Sequence, residues 1–474
     1  QARVLIRRML CAVLGLALRV FFRRIEIAGL ERVPRGGAAI FVVNHPNGLV
    51  DPVFILCHAP RAISFLAKAP IFKMPIVGYL ARALDAIPVY RKQDEGSDTS
   101  QNRETFARSR QLLQRGGTIA ICPEGVSHND TKLRPLKSGA ARIALGVVAE
   151  DPTLDLKIVP AGLYYTSKTV FRSAALLYFG EPLAVKAVVL NVEGEPPREA
   201  VNYLSARIES ALRDVTLNVE HEQALATVAR AERIFSAAAE DAKEGAPPAP
   251  SLARELELRR RFVEGYAFHF QHSPARLAEL EARLCRYEEE LREAGIDEDD
   301  LSAPRATPAM IARYFLTRVA PVLCLFPFAG AGVLINFVAY RLCNLLATKF
   351  AQKDDDVVST FKIAAALLLF PLTWLLLAAL CWWLVGWPLA LFALVFAPLA
   401  GFIAVRFFEQ LDNFVGAARA ILFFITRRRF FKQLLVERRR LHEEIVALGE
   451  EAARFQKTAA LTNVETAPTA GHTI

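Results

Sequence analysis

Between Ile363 and Val405 the chain carries no charged residue. A helix needs about 20 predominantly apolar residues to span a bilayer, so this stretch has room for two spans and excludes a chain built only of soluble domains. Gly386-Trp387-Pro388 interrupts it, and Trp382, Trp383 and Trp387 cluster at the interruption, as amphipathic rings do where membrane meets water. The reading is a helical hairpin over 363–405 with its tip at the far interface. Lys349, Lys353 and Lys362 precede the hairpin, and Arg406, Arg427, Arg428 and Arg429 follow it. By the positive-inside rule both flanks face the cytoplasm.

Val319–Tyr340 is also free of charge, but Pro321, Pro327, Gly330 and Gly332 lie within it. A full crossing there would separate the residues before it from the basic flanks. Region 306–405 is therefore read as membrane segments, with a re-entrant or in-plane piece at 319–340 ahead of the hairpin. At the other end, Met9–Leu18 is too short to span and is bracketed by Arg7, Arg8, Arg19, Arg23 and Arg24. Residues 1–24 read as an interfacial membrane helix with guanidiniums reaching headgroups. A secretory signal fits less well, because Phe21-Phe22-Arg23-Arg24 follows where a small-x-small cleavage site belongs.

Hydrophobic residues make up 53% of the chain and the formal net charge is +9. That excess suits anionic partners. The arginines flank apolar runs and no nucleic-acid motif is present, so the expected partner is membrane lipid and not nucleic acid. Seven scattered cysteines with no C-x-x-C pair read as reduced, cytosol-facing protein. His269 and His272 have no Cys or Asp cluster beside them, so they read as helix-surface residues and no metal site is expected.

From 25 to 215, β-like runs alternate with helical ones. Strands are predicted at 25–27, 38–43, 63–67, 87–90, 118–122, 158–163 and 174–179, and helices at 51–58, 104–115 and 138–149. This alternation implies an α/β domain with a largely buried sheet. Residues 216–305 form a helical region interrupted by a linker at 243–251. Residues 406–457 read as a basic amphipathic helix resting on an anionic leaflet, and 458–474 as a disordered tail.

Two polar stretches stand at the ends of apolar strands. The first is Asn44-His45-Pro46-Asn47-Gly48-Leu49-Val50-Asp51-Pro52, and the second is Ile121-Cys122-Pro123-Glu124-Gly125-Val126-Ser127. A histidine closely followed by an aspartate is the wiring of a general base: the carboxylate holds one ring nitrogen and leaves the other to take a proton from a hydroxyl. Asp51 near a helix start also suits a capping role.

In this order and spacing the two stretches resemble the glycerolipid acyltransferase family, which moves a fatty acyl group from a thioester onto glycerol phosphates. The family's usual motif is His-x4-Asp. Here the pair is His45 and Asp51, with Val50 where the common aspartate stands, a pattern similar to the branch of fungal-type glycerol-3-phosphate or dihydroxyacetone-phosphate acyltransferases and their bacterial relatives. The resemblance covers roughly residues 25–190. It implies catalytic roles for His45 as base and Asp51 as its orienting partner. Ala86-Ile87-Pro88-Val89-Tyr90-Arg91 stands for the family's Gly-x-x-Phe-x-Arg block and implies that Arg91 grips the acceptor phosphate through two hydrogen bonds. Pro123-Glu124-Gly125 implies acceptor binding, with Glu124 taking a hydrogen bond from the acceptor hydroxyl and Gly125 allowing close backbone approach. Lys137, opening the helix after that block, adds positive potential. Lys68 fits the pattern between blocks, and Arg172, ahead of Phe179-Gly180-Glu181-Pro182, is a second phosphate-binding candidate. Ile158–Leu163, with Pro160, matches the block placed near the acyl chain. Asp354–Lys362 followed by Pro371 is similar to the same bacterial and fungal relatives.

The expectation is an acyltransferase-type mixed sheet flanked by helices, followed by helical arms and a C-terminal membrane hairpin. The expected function is transfer of an acyl group from acyl-CoA or acyl-ACP to the hydroxyl of glycerol-3-phosphate. It needs no cofactor, and the catalytic domain (25–215) faces the cytoplasm. A 1-acylglycerol-3-phosphate or other lysophospholipid acceptor is the alternative within the family. A catalytically silent membrane-anchored interaction protein is the alternative of another class. A transporter would need more spans and buried charges than 319–405 supplies.

Overall fold

The computed structural model describes residues 2–91, 94, 99–192, 194–219, 222–241, 251–296, 298, 308–350 and 355–465. The chain divides into two compact units. The first joins Gln1–Asn218 with Ser251–Leu256 and Arg341–Leu369, and the second takes the rest.

The first unit is built on strands β1 (Arg24–Ala28), β2 (Ala39–Val43), β3 (Ser64–Lys68), β4 (Ile87–Val89), β5 (Thr118–Ile121), β6 (Lys157–Tyr165), β7 (Ala174–Phe179) and β8 (Leu183–Ala184). They form one mixed sheet in the order β1-β7-β6-β2-β5-β3-β4, with β8 against β6. Pairing is parallel except at β6–β7 and β6–β8. The helices of this part are α1 (Ala2–Phe21), α2 (Val50–His58), α3 (Pro75–Ala83), α4 (Asn102–Gln114), α5 (Gly139–Glu150) and α6 (Arg198–Arg213).

All five residues of β2 are buried, as a central strand with both faces covered requires. Its side chains alternate between two cores. Ile40 and Val42 join Leu113 of α4, Ile143 and Val147 of α5 and Leu204 and Ile208 of α6. Ala39, Phe41 and Val43 join Leu18 and Phe21 of α1 and Val50, Phe54 and Ile55 of α2. Phe54 is fully buried, worth about 1.5–3 kcal/mol of transfer free energy. The outer side of α1 leaves Val4, Leu5, Met9, Val13, Leu16 and Val20 exposed, at the three- and four-residue spacing of one helical stripe.

Two later pieces of chain complete this unit, which the linear reading as 25–215 misses. The Glu26 carboxylate of β1 accepts the N–H groups of Leu252 and Ala253 at 2.7 and 3.1 Å, so it caps a helix 226 residues away and meets the positive end of its dipole. That helix is α8 (Leu252–His272). The second piece includes the start of α11 (Asp355–Leu384).

The second unit holds α7 (Glu222–Asp241), most of α8, α9 (Pro274–Ala294), α12 (Trp387–Thr426), α13 (Arg428–Glu465), and parts of α10 (Pro308–Phe350) and α11. Among the described residues, three stretches are long and apolar enough to cross a membrane: Cys324–Phe350, Val357–Leu384 and Trp387–Leu411. α11 and α12 are separated at Gly386, whose φ is 126°. Asn336 of α10 clasps the apolar helices together: its Nδ2 donates to Gly332 O (2.9 Å) and Ala397 O (3.5 Å), and its Oδ1 accepts Trp374 Nε1–H at 2.9 Å.

At 319–340 the helix α10 runs on through Pro321, Pro327, Gly330 and Gly332 without a break. Neighbouring helices and local adjustments let apolar helices absorb such residues. Four expectations differ from the structure. Residues 406–457 are not one helix: 406–426 continue α12, and a separate α13 begins at Arg428. The apolar face of α13 is occupied by protein, with Phe431, Leu434, Leu441, Ile445 and Leu448 sharing a core with Ala231 and Ile234 of α7 and Leu280, Leu284 and Leu291 of α9. It does not rest on a leaflet through that face. Residues 458–465 are helical, while 466–474 and the linker residues 243–250 lie outside the described residues. His269 is not on a helix surface: it is 2% exposed and bonds Ser273 Oγ and Leu448 O.

Candidate active site

The site is assembled at the end of β2. Asn44 finishes that strand with its side chain, donating from Nδ2 to Leu163 O (3.0 Å) and accepting Leu163 N–H on Oδ1 (2.7 Å). This copies one rung of a β-ladder and releases the backbone into the His45 loop. His45 Nδ1 lies 2.9 Å from Asp51 Oδ2. A carboxylate only accepts, so Nδ1 carries the hydrogen and Nε2 presents its lone pair. The imidazole is 19% exposed and the carboxylate is wholly buried.

Asp51 sits in the first turn of α2 but does not cap it. Its oxygens take His45 Nδ1–H, the Asn47 N–H at 2.6 Å and the Tyr165 hydroxyl at 2.7 Å. A buried charge is tolerated only when paired and hydrogen-bonded, and these three donors supply that. Tyr165 ends the β6 row Val159, Ala161, Leu163 and Tyr165, which faces α2. Burial first, then the Asp51 charge, push its phenol well above the usual range, so it stays a donor. Burial and the charges of Asp51 and Glu124 likewise push the Cys122 thiol well up, which removes it as a thiolate nucleophile.

Glu124 is buried, with no exposed side-chain surface. Its Oε1 accepts the His45 backbone N–H at 3.0 Å, and Oε2 takes the Arg134 N–H at 3.0 Å together with the His128 ring. The His128 N–H in turn donates to His45 O at 3.2 Å. The backbone of His45 is therefore held at both ends by the Pro123-Glu124-Gly125 turn and its sequel.

The next residue of that turn serves a cationic group. Gly125 O accepts Arg91 Nη1–H at 2.5 Å. Gly125 has φ 76°, a conformation that favours glycine, and a Cβ there would lie 2.6 Å from Lys137 Nζ, so the Lys137 side chain passes directly over it. Arg91 also grips Asp94 with Nε and Nη2, at 2.9 and 2.5 Å. That pairing holds the Asp94 carboxyl below its usual range, with help from the charges of Lys68 and Lys137. Lys68, Arg91 and Lys137 thus all stand close enough to act on Asp94. Arg172 lies on the β6–β7 loop, with φ 68° and its N–H on Phe21 O. Pro160 is buried in the sheet opposite Val42.

The amino-terminal part of the chain, residues 24–164, matches the family model described as Acyltransferase, and residues 246–453 match the one described as Glycerol-3-phosphate acyltransferase 2 C-terminal domain. The chain thus carries an acyltransferase-family segment at residues 24–164. It is 30% identical over 284 residues to "Glycerol-3-phosphate O-acyltransferase 2" of Saccharomyces cerevisiae, spanning 57% of this chain and 37% of that one. It is 26% identical to "Glycerol-3-phosphate O-acyltransferase 1" of the same yeast, spanning 75% of this chain and 58% of that protein. A chloroplast 1-acyl-sn-glycerol-3-phosphate acyltransferase of Arabidopsis thaliana is 30% identical over 146 residues, or 30% of this chain and 39% of that one. The chain thus spans between about a third and three-fifths of the length of these relatives.

Within this acyltransferase-family site, sequence reasoning missed Asn44, Asn47, Tyr165, Asp94 and His128 as contributors. His128 was the most accessible of them, four residues after Glu124. Tyr165 was not, since only the sheet brings it to Asp51.

Proposed function

We propose that this chain is an O-acyltransferase that carries a fatty acyl group from an acyl thioester, acyl-CoA or acyl-ACP, to the hydroxyl of glycerol-3-phosphate. The observation that carries the reading is one turn: Glu124 holds the backbone of the His45–Asp51 dyad, and its neighbour Gly125 holds the cation Arg91 beside Lys137. A base for the hydroxyl and a grip for the phosphate are thus set a fixed distance apart.

His45 Nε2 takes the hydroxyl proton as the oxygen attacks the thioester carbonyl. Asp51 steadies the imidazolium that forms. The tetrahedral oxyanion needs a donor. In the loop, the N–H groups of His45, Asn47, Leu49 and Val50 bond Glu124, Asp51, Thr360 and Asn47 O. We assign the oxyanion to the Gly48 N–H, which has no such bond among the described residues. Collapse expels the thiolate, and the proton on His45 returns to it, which restores the base. Arg91, Lys68 and Lys137 hold the acceptor phosphate, with Arg172 as a further cation and Pro160 in the acyl-chain region. Glu124, its oxygens taken by protein donors, is assigned to holding His45 in place of the acceptor hydroxyl. The glycerol-3-phosphate choice is supported by the names of the two yeast relatives and of the C-terminal family model.

The catalytic unit is assigned to the cytoplasmic side, where thioester donors are. Residues before α10 and after it meet in the first unit, as Leu49 does Thr360, and α13 shares a core with α7 and α9 in the second. Both favour an even number of crossings, which makes α11 and α12 the spanning hairpin and leaves α10 in the plane or short of a full crossing.

Purified protein incubated with a labelled acyl thioester and a panel of acceptors tests the activity. Lysophosphatidate formation is expected. Phosphatidate made from lysophosphatidate would move the acceptor to the lysophospholipid, and no product with any acceptor would leave a silent anchored protein. Protease accessibility of tags at both ends tests the topology, and protection on opposite sides overturns it.

A further inference from the structure

Two side chains from the first turns of α11 reach the loop that carries the dyad, from about three hundred residues further along the chain. Ser359 Oγ donates to Asn47 Oδ1 at 2.7 Å, and neither residue has any exposed surface. Thr360 Oγ1 accepts the Leu49 N–H at 3.2 Å. A third contact lies beside them, where Lys362 Nζ donates to Thr169 O at 2.8 Å on the β6–β7 loop.

Asn47 stands between the imidazole and its carboxylate. Its N–H donates to Asp51 Oδ2, the same oxygen that meets His45 Nδ1. Its C=O accepts the N–H groups of Val50 and Asp51 at 3.0 and 3.3 Å. Gly48 follows with φ 39°, a position where the backbone has more freedom than elsewhere. Ser359 holds the residue before that glycine by its side chain, and Thr360 holds the residue after it by its backbone. The flexible point of the loop is thus braced on both sides by one helix turn. Dyads work only when supporting hydrogen bonds lock their geometry.

We infer that Ser359 and Thr360 are positioning residues for His45 and Asp51, so that acyl transfer by this chain requires the amino-terminal turns of α11. The brace lies outside the part of the chain that matches the acyltransferase model and inside the part that matches the C-terminal one. The same helix runs on into the apolar stretch Val357–Leu384. This inference rests on the acyl-transfer reading of His45.

The test uses the full chain in detergent or bilayer discs, with S359A, T360V, the double variant, and S359T. Hydrogen exchange of the peptide covering residues 45–52 is read by mass spectrometry, beside kcat and KM for glycerol-3-phosphate. In the double variant that peptide exchanges about tenfold faster, kcat falls roughly ten- to a hundredfold, and KM stays within about twofold. S359T, which keeps the hydroxyl, recovers most of the kcat lost in S359A, as a helix-docking role alone would not require. Unchanged exchange and kcat in a folded double variant overturn the inference, and so does a raised KM at unchanged kcat, which would move the pair to acceptor binding. T360V nearly conserves volume and serves if the double variant does not fold. Faster exchange in a chain whose wild type acylates no acceptor would leave the brace standing and remove the acyl-transfer reading instead.

Discussion

The Tyr165 hydroxyl donates to Asp51 Oδ1 at 2.7 Å across 114 residues of sequence. It fills the one Asp51 oxygen that His45 and Asn47 leave unused. Replacing Tyr165 by Phe keeps the ring contacts with Phe22 and Phe54 and removes only this bond. A hydrogen bond to a charged group is worth about 1.5–3 kcal/mol. Y165F is expected to lower kcat by roughly ten- to a hundredfold at little change in acceptor KM. Steady-state kinetics check it, with circular dichroism as the folding control.

His45→Ala removes the base itself. Transfer is expected to fall by at least about 10²-fold, the scale of a positioned general base, in a chain that melts close to wild type. Near-normal turnover in H45A would rule the scheme out.

His128 and Glu124 form a buried pair that holds the His45 backbone from both sides. H128A leaves the carboxylate short of one donor, at a cost of about 1–3 kcal/mol. The melting temperature and kcat are expected to fall together. Unchanged kcat in a destabilised H128A would limit the pair to a structural role.

Arg91 is expected to raise KM for the phosphorylated acceptor when replaced by Ala, with kcat changed less. Its partner Asp94 gives a pH signature. The folded-state pKa of Asp94 is depressed by Arg91, with Lys68 and Lys137 adding to the effect. The stabilisation is therefore complete above the ordinary carboxylate range near pH 4 and is lost as pH falls below it. Melting temperatures of wild type and D94N are expected to differ at pH 7 and to converge toward pH 3. Parallel curves would show that the pair contributes nothing to stability.

Gly332 packs against the backbone of Ala400, where a Cβ would collide with the Ala400 carbonyl. Gly332→Val is expected to separate α10 from α12 and to weaken the Asn336 clasp. The loss reads out as faster proteolysis and a lower melting temperature in detergent. An unchanged melt would mean that this close approach is not needed.

The strands and the first helices were legible because their pattern is local: the unbroken apolar run of β2 and the buried run of β6 are written in consecutive residues. The positions of His45, Asp51, Arg91 and Gly125 at strand ends and short turns were legible too, while the roles given to Arg91 and Gly125 came from the family resemblance. The path of α10 was not. Prolines and glycines predict a break in isolation, and apolar neighbours remove the cost of keeping the helix whole. The face of α13 misled for a related cause: an amphipathic stripe looks the same whether its apolar side meets lipid or α7 and α9.

Composition and short-range pattern were enough for the α/β sheet, the apolar stretches and the closeness of His45 to Asp51, since each depends on neighbours within a few residues. Which groups hold that base depended on the folded chain. Tyr165, Glu124 with His128, and Ser359 with Thr360 come from separate elements, and no spacing rule connects them to His45. They meet because the sheet order and the docking of α11 bring distant segments to the end of one strand, and a hydrogen bond is decided by distance in space rather than along the chain.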